Sequence, residues 1–229
     1  MKIVISLGGH LFTKGLKSTS ELTAENFKKY ADIVKKLRTD GHKVIVVCGG
    51  GKFLRHYMKV AKDMGADKEV RDWIGINFTH VNAMMMIAAL GNDAYPYSLK
   101  TVEELKKHFD DKILVFGGNE PGHSTDYDSA IFAEAINADM LINATTVDGV
   151  YSADPKKDPK AKKYDKLSFD EFEKIILKNP QEPGEYRLFD LPGARVVKRS
   201  SIKTIIINAT DPKEILRVVE GKHRGTVIS

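Results

Sequence analysis

At 229 residues, 42% apolar and 29% charged, the chain is long enough for one large domain or two fused lobes, and its composition excludes a disordered product. The net charge of +5 and pI near 9.0 favour an anionic ligand, but the lysine-rich stretch 156–166 is broken by Asp and Pro without a platform for stacking bases, so it reads as a solvated loop and not a nucleic-acid patch. The lone Cys48 rules out a disulfide framework and implies a reducing, cytoplasmic setting, while the apolar runs 3–7 and 83–90 are too short for a signal-peptide core and a membrane span respectively.

In chain order, apolar and β-branched runs at 2–7, 43–48, 113–116, 140–144 and 204–208 predict strands buried on both faces, with edge pieces at 94–97 and 226–228. Helical spacing fills the intervals. Phe27, Tyr30, Val34 and Leu37 share one face, as do Val70, Trp73, Asn77, Val81 and Met84, and Met85 and Met86 continue that apolar stripe as core or subunit packing. Capping boxes at Thr101 with Glu104 and Ser168 with Glu171 open two more helices, and Asp211, Pro212 and Glu214 supply N-cap, N1 and N3 of a last one. The alternation predicts an α/β fold whose largely parallel sheet is covered on both faces.

Three glycine-bearing turns each follow a predicted strand: Gly8-Gly9, Gly49-Gly50-Gly51 and Gly117-Gly118. In an open parallel sheet such turns occupy the carboxyl edge, where helix N-termini offer unpaired N–H groups, so phosphate is the expected guest. None fits Walker A or G-x-G-x-x-G, which argues against a P-loop kinase and a dinucleotide dehydrogenase. The third turn runs on as N-E-P-G-H-S-T-D over 119–126 into a helix whose apolar face carries Ile131, Phe132, Ala135 and Ile136. Capping accounts for Thr125 and Asp126 at that helix start, whereas the long polar approach from Asn119 to His123 favours a ligand site. After the fourth strand, 144–155 holds the turn formers Asp148-Gly149 and Asp154-Pro155 and becomes a candidate wall for a nucleotide.

These motifs together carry a resemblance. S-L-G-G at 6–9, C-G-G-G-K-F-L-R at 48–55, D-W-I-G-I at 72–76, N-A-M at 82–84, G-G-N-E-P-G-H-S-T-D at 117–126 and T-T-V-D-G-V-Y-S-A-D-P-K-K-D-P at 145–159 make the chain similar, nearly end to end, to the amino-acid kinase superfamily and within it to the archaeal-type UMP kinases. The resemblance implies a three-layer α/β/α sandwich forming one domain over 1–229, with an acceptor lobe to about 139 and an ATP lobe from about 140. It also implies a Mg²⁺-dependent transfer from ATP to UMP, in a homohexamer with no nucleic-acid or membrane partner.

Residue by residue, the resemblance assigns the UMP phosphate to Gly49, Gly50, Gly51 and Arg55, the ribose to Asp72, and the base to Thr125 with the loop Pro121, Gly122, His123 and Ser124. Gly8, Gly9 and His10 would face the transferred group, and Thr145, Thr146, Asp148, Val150, Tyr151 and Asp154 would line the ATP site. Asp126 matches the family's organising aspartate. Phosphoryl transfer needs in-line positioning and charge neutralisation more than covalent help, and an acceptor that is already an anion needs no base.

The chain departs from the family at several positions. Ser6 stands where many members carry a lysine, and D-L-P-G-A-R at 190–195 puts Arg195 in place of another, which keeps the charge and makes Arg195 a candidate catalytic cation. His10, His80, and Tyr127 with Asp128 replace other residue types, and Asp128 adds negative charge beside two anions unless it holds metal, pairs with a cation or points away. Two alternatives stay open: another member of the superfamily acting on isopentenyl phosphate or a carboxylate, and a nucleotide-binding protein without turnover.

Overall fold

The computed structural model describes residues 1–109, 112–155, 157–178 and 189–229. Strand β1 (Lys2–Leu7) leads through the short helix α1 (His10–Thr13) to α2 (Glu25–Thr39), and β2 (Lys43–Cys48) leads to α3 (Gly51–Asp63) and α4 (Lys68–Leu90). Then come α5 (Val102–His108), β3 (Leu114–Phe116), α6 (Thr125–Ala135) and β4 (Met140–Thr145). The remainder comprises β5 (Val150–Tyr151), β6 (Lys163–Tyr164), β7 (Lys166–Leu167), α7 (Phe169–Lys178), α8 (Leu191–Arg199), β8 (Thr204–Asn208), α9 (Lys213–Val219) and β9 (Thr226–Ile228). Both capping boxes form: Thr101 and Glu104 exchange bonds at α5, as do Ser168 and Glu171 at α7.

Among the described residues one sheet has the order β3-β2-β1-β4-β8-β9-β7, parallel except where β8 meets β9. Alternation along β1 builds two cores. Ile3, Ile5 and Leu7 pack toward α1, α2, α4 and α9, whereas Val4 belongs to the core shared with α5, α6, α7 and α8. The result is the expected three-layer sandwich, and with period two Ser6 shares the face of Val4, under α6.

Register places the site. Leu7 pairs with both Cys48 and Ala144, and Val47 pairs with Phe116, so β1, β2, β3 and β4 end nearly level. The glycine turns after the first three therefore leave from one edge, and β1 lies between β2 and β4 where successive connections change direction, the usual crevice of an open α/β sheet.

Three expectations need correction. The piece 226–228 is an inner strand between β8 and β7, because the short β7 takes the edge. The piece 94–97 forms no strand; Ala94 and Leu99 make isolated parallel bridges to Ile113 and Phe116. Within 156–166, Lys156 lies outside the described residues, and Lys163–Tyr164 forms β6 and pairs with β5, so only part of that stretch is loop. On α4 the apolar stripe, left open as core or subunit packing, does not enter the core: Val70, Trp73, Val81, Met84 and Met85 are exposed, while Thr79, Asn82, Ala83, Met86, Ile87 and Leu90 are buried. Small and polar residues sit inside because this helix packs closely over the glycine turns. α4 is long and apolar enough, by length and composition, to cross a membrane, but its inner flank packs on α2, β2 and β3.

Candidate functional site

The first two glycine turns pack backbone to backbone. A Cβ on Gly9 would lie 2.3 Å from the Gly51 nitrogen, and one on Gly51, at φ +83°, would lie 2.5 Å from the Gly9 carbonyl oxygen. Neither position has room for a side chain. Asn82, buried on α4, fixes the second turn by donating from Nδ2 to the carbonyls of Gly49 (2.7 Å) and Gly50 (3.1 Å). The third turn is held from the same helix: Gly118 N–H donates to Thr79 Oγ1 at 2.6 Å, and the His80 ring bridges Ser98 Oγ (2.7 Å) and the Gly118 carbonyl (2.9 Å). Burial holds His80 below the usual histidine pKa.

The N-cap of α3 is Gly50, which has no side chain to cap it, and the Lys52 N–H of the first turn donates to Thr13 Oγ1 at 3.4 Å. That first turn directs the positive end of the helix dipole at the shared edge. Arg55, one turn on, donates to the His10 ring and so ties α3 to the first glycine turn. Burial, then the Arg55 charge, lowers the His10 pKa to about 4, which makes it a neutral acceptor at pH 7. Beside this pair lies a cavity of about 380 Å³ lined by Lys14, Lys17, Lys52, Arg55, His10 and Thr146 among others, with no acidic lining residue.

A second cavity, about 250 Å³, lies on the other flank of α3 and is lined by Gly50, Asp72, Ser124, Thr125, Asp128 and Glu120 among others, with no lysine or arginine. Asp72 on α4 accepts the Gly122 N–H at 3.0 Å and pins the polar loop over this cavity. Ser124 caps α6 by accepting from the Asp126 N–H (3.2 Å), and donates through its own N–H to Asp190 Oδ2 (3.1 Å) and through its hydroxyl to the same oxygen. Asp190 in turn caps α8, accepting from Gly193 N–H at 2.7 Å. His123 and Tyr127 stack with ring centroids 4.2 Å apart.

Asp126 sits between the cavities and beneath β1. Its Oδ1 accepts from Ser6 Oγ at 3.0 Å and Asn143 Nδ2 at 3.4 Å, so β1 and β4 both fix its carboxylate. On the β8 side, a cavity of about 940 Å³ is lined by Lys14, Asp148, Lys163, Asn208, Thr210 and Arg217 among others. Lys14 lines this cavity as well as the cationic one and donates to Thr210 Oγ1 at 3.0 Å.

Most of the residues singled out in the sequence converge. Gly8, Gly9, His10, Gly49, Gly50, Gly51 and Arg55 form one cluster, Asp72, Gly122, His123, Ser124 and Thr125 another, with Asp126 between them. Pro121 lies in the loop that Asp72 holds. Thr145 ends β4 next to Gly8, and Tyr151 donates to Asp148 at 2.9 Å. Of the six residues assigned to ATP, Thr146 and Asp148 line the cavities described above; Val150 is fully buried with its N–H on Thr226 Oγ1 (2.8 Å), and the Asp154 carbonyl closes a turn with the Lys157 and Asp158 N–H groups. Arg195 lines neither cavity beside α3; its guanidinium is ion-paired with Glu173 of α7 at 2.9 Å, because α7 and α8 pack side by side. Sequence reasoning passed over Lys14, Lys17, Asn82, Asn143 and Asp190. Asn82 and Asp190 lay in recognised motifs, and nothing along the chain says that these residues would meet at one edge.

The profile of the amino acid kinase family matches residues 1–208. A uridylate kinase of Methanococcoides burtonii is 41% identical over 96% of this chain and 91% of its own length. The uridylate kinase of Methanothermobacter thermautotrophicus is 41% identical over 100% of this chain and 99% of its own length. The crystal structure of uridylate kinase from Archaeoglobus fulgidus superposes with a TM-score of 0.84 at 40% identity, covering 100% of both chains.

Proposed function

This chain belongs to the amino acid kinase family, and from that premise we propose that it is a UMP kinase, passing the γ-phosphoryl group of ATP to the phosphate of UMP to give UDP and ADP. One observation carries the reading: at a single sheet edge an acid-lined cavity and a cation-lined cavity flank the same glycine-led helix N-terminus. A nucleoside monophosphate is an anion joined to a neutral sugar and base, and it fits that division. Its base and ribose enter beside Thr125 and Asp72, and its phosphate turns to the N–H groups of α3 and to Arg55.

ATP is assigned to the side of β4 and β8, which supports an acceptor lobe up to about residue 139 and an ATP lobe beyond it. Lys14, common to the cationic cavity and the β8-side cavity, is the side chain best placed to neutralise the group in transit. The attacking phosphate oxygen is already ionised, so the residues around it need only align it and screen its charge. Asp126, accepting from Ser6 and Asn143, keeps the Gly8-Gly9 turn in register with α6. Mg²⁺ is part of the reading as the partner of the ATP phosphates. Among the described residues no three His, Cys, Asp or Glu side chains are grouped to hold a metal, so the fit is to an ion carried in on the nucleotide, whose positive charge offsets that of the donor phosphates.

An ADP-release assay with Mg-ATP and UMP, CMP, AMP, GMP, isopentenyl phosphate, glutamate or carbamate tests this. UMP is expected to give the dominant rate; a dominant rate with another acceptor, or none with any, overturns it. The same proposal takes the enzyme as a cytoplasmic homo-oligomer, supported by the outward apolar stripe of Trp73, Val81, Met84 and Met85 on α4. Sedimentation of a 25.5 kDa monomer at micromolar concentration would remove the oligomer from the proposal.

A further inference from the structure

Resting on the assignment of the 250 Å³ cavity to the acceptor's sugar and base, we propose that Asp128 is a specificity-determining residue: its carboxyl group reads a lactam edge on the base, accepting from the ring N–H and donating to the adjacent carbonyl.

Asp128 is 5% exposed and lines that cavity from the first turns of α6. Its Oδ2 accepts the Asn119 N–H at 3.3 Å, and among the described residues no other hydrogen bond and no cation engages the carboxyl group. The group is therefore neither paired with a cation nor turned away from the cavity; one of its oxygens is left for whatever enters.

The groups facing it share its sign. Asp126 lies on its own helix, Asp190 at the α8 N-cap, Glu120 in the preceding loop, and Asp72 lines the same cavity from α4. His80 of α4, held by Ser98 and Gly118, has its pKa lowered by burial and brings no charge at neutral pH. Burial first, with Asp190, Asp126 and Glu120 adding to it, pushes the Asp128 pKa up to about 7 against the pull of the Asn119 N–H.

A carboxyl group that keeps its proton near neutrality presents a donor and an acceptor side by side, the complement of the N–H and carbonyl of a uracil ring. Once ionised it loses the donor and sets a negative charge against that carbonyl. The sign follows: recognition is strongest below about pH 7 and weakens as pH rises through it. Methylation of the ring nitrogen removes the N–H that the carboxyl accepts from and so breaks half of this pair.

Steady-state kinetics from pH 6 to 9 with UMP and N3-methyl-UMP, on the wild type, Asp128→Asn and Asp128→Ala, test the assignment. In the wild type the KM for UMP should rise about tenfold through an inflection near 7, and N3-methylation at pH 6 should raise KM about tenfold. Asp128→Asn, which keeps a donor and an acceptor at all pH values, should lose that inflection and hold a low KM at pH 8.5. Asp128→Ala should raise KM for UMP about tenfold at pH 6, leave kcat within about twofold, and no longer discriminate against the methylated analogue. An inflection that persists in Asp128→Asn, or equal discrimination by wild type and Asp128→Ala, overturns the role of Asp128 while UMP turnover leaves the kinase reading standing. Absence of UMP turnover in the wild type at any pH overturns both.

Discussion

The two cavities flanking α3 stand on the same sheet edge and are lined by opposite charges. One draws Asp72, Glu120 and Asp128 from α4, the polar loop and α6; the other draws Lys14, Lys17, Lys52 and Arg55 from the segment after β1 and from α3. A mononucleotide placed between them is oriented before any specific contact forms, since its phosphate is repelled from one side and attracted to the other. The lesson is that a glycine-rich edge supplies generic phosphate affinity, whereas direction comes from side chains that meet only after folding.

Reversing or weakening one side should show which part of the contrast matters. The largest effect is expected from Arg55→Ala, which removes the cation tied to His10 beside the α3 N-terminus: kcat/KM for UMP should fall by about a hundredfold or more. Steady-state kinetics would check it, and a change below threefold would mean that the phosphate binds elsewhere.

The acidic side should reveal itself in stability. The Asp128 carboxyl has a folded pKa raised by burial to about 7, well above the usual carboxylate range, so its favourable contribution is complete below the unfolded value and is lost as pH rises through the folded one. Unfolding by denaturant should show the wild type losing about 2–3 kcal/mol between pH 5 and pH 8 through this group, a loss absent from Asp128→Asn. Parallel pH profiles for the two proteins would contradict the burial of an ionisable carboxyl.

Arg195 sharpens the boundary of the cationic side. As a transition-state cation its loss would cost more than tenfold in kcat; as the surface partner of Glu173 it should cost less than about twofold. We expect the smaller effect for Arg195→Ala, and a tenfold loss would require α8 to move its side chain off Glu173 during turnover.

Much of this protein is legible from its residues in order. Five strands could be placed within about a residue of their ends because each is nearly all apolar and ends in a turn former, and the capping boxes of α5 and α7 are local chemistry that needs no distant partner. The glycine turns were equally plain, since backbone-to-backbone approach such as that of Gly9 to Gly51 tolerates no other residue. The α4 stripe could not be assigned to core or interface from the residues alone: Trp73, Val81, Met84 and Met85 face outward, and the helix buries Thr79 and Asn82 because those groups bond the glycine turns beneath them.

The sequence alone thus determined the α/β class, the strand ends, the phosphate-friendly turns and the family, all of which depend on neighbours within a few residues or on motifs read along the chain. Only the tertiary structure decided which charges share a cavity, that Arg195 turns to Glu173, that Asp190 joins the Ser124 cap to α8, and that Asp128 stays buried among acids. Those outcomes follow from register and helix packing, which bring together groups far apart in the chain, 66 residues in the case of Ser124 and Asp190, and electrostatic interaction depends on distance and burial, not on order in the chain.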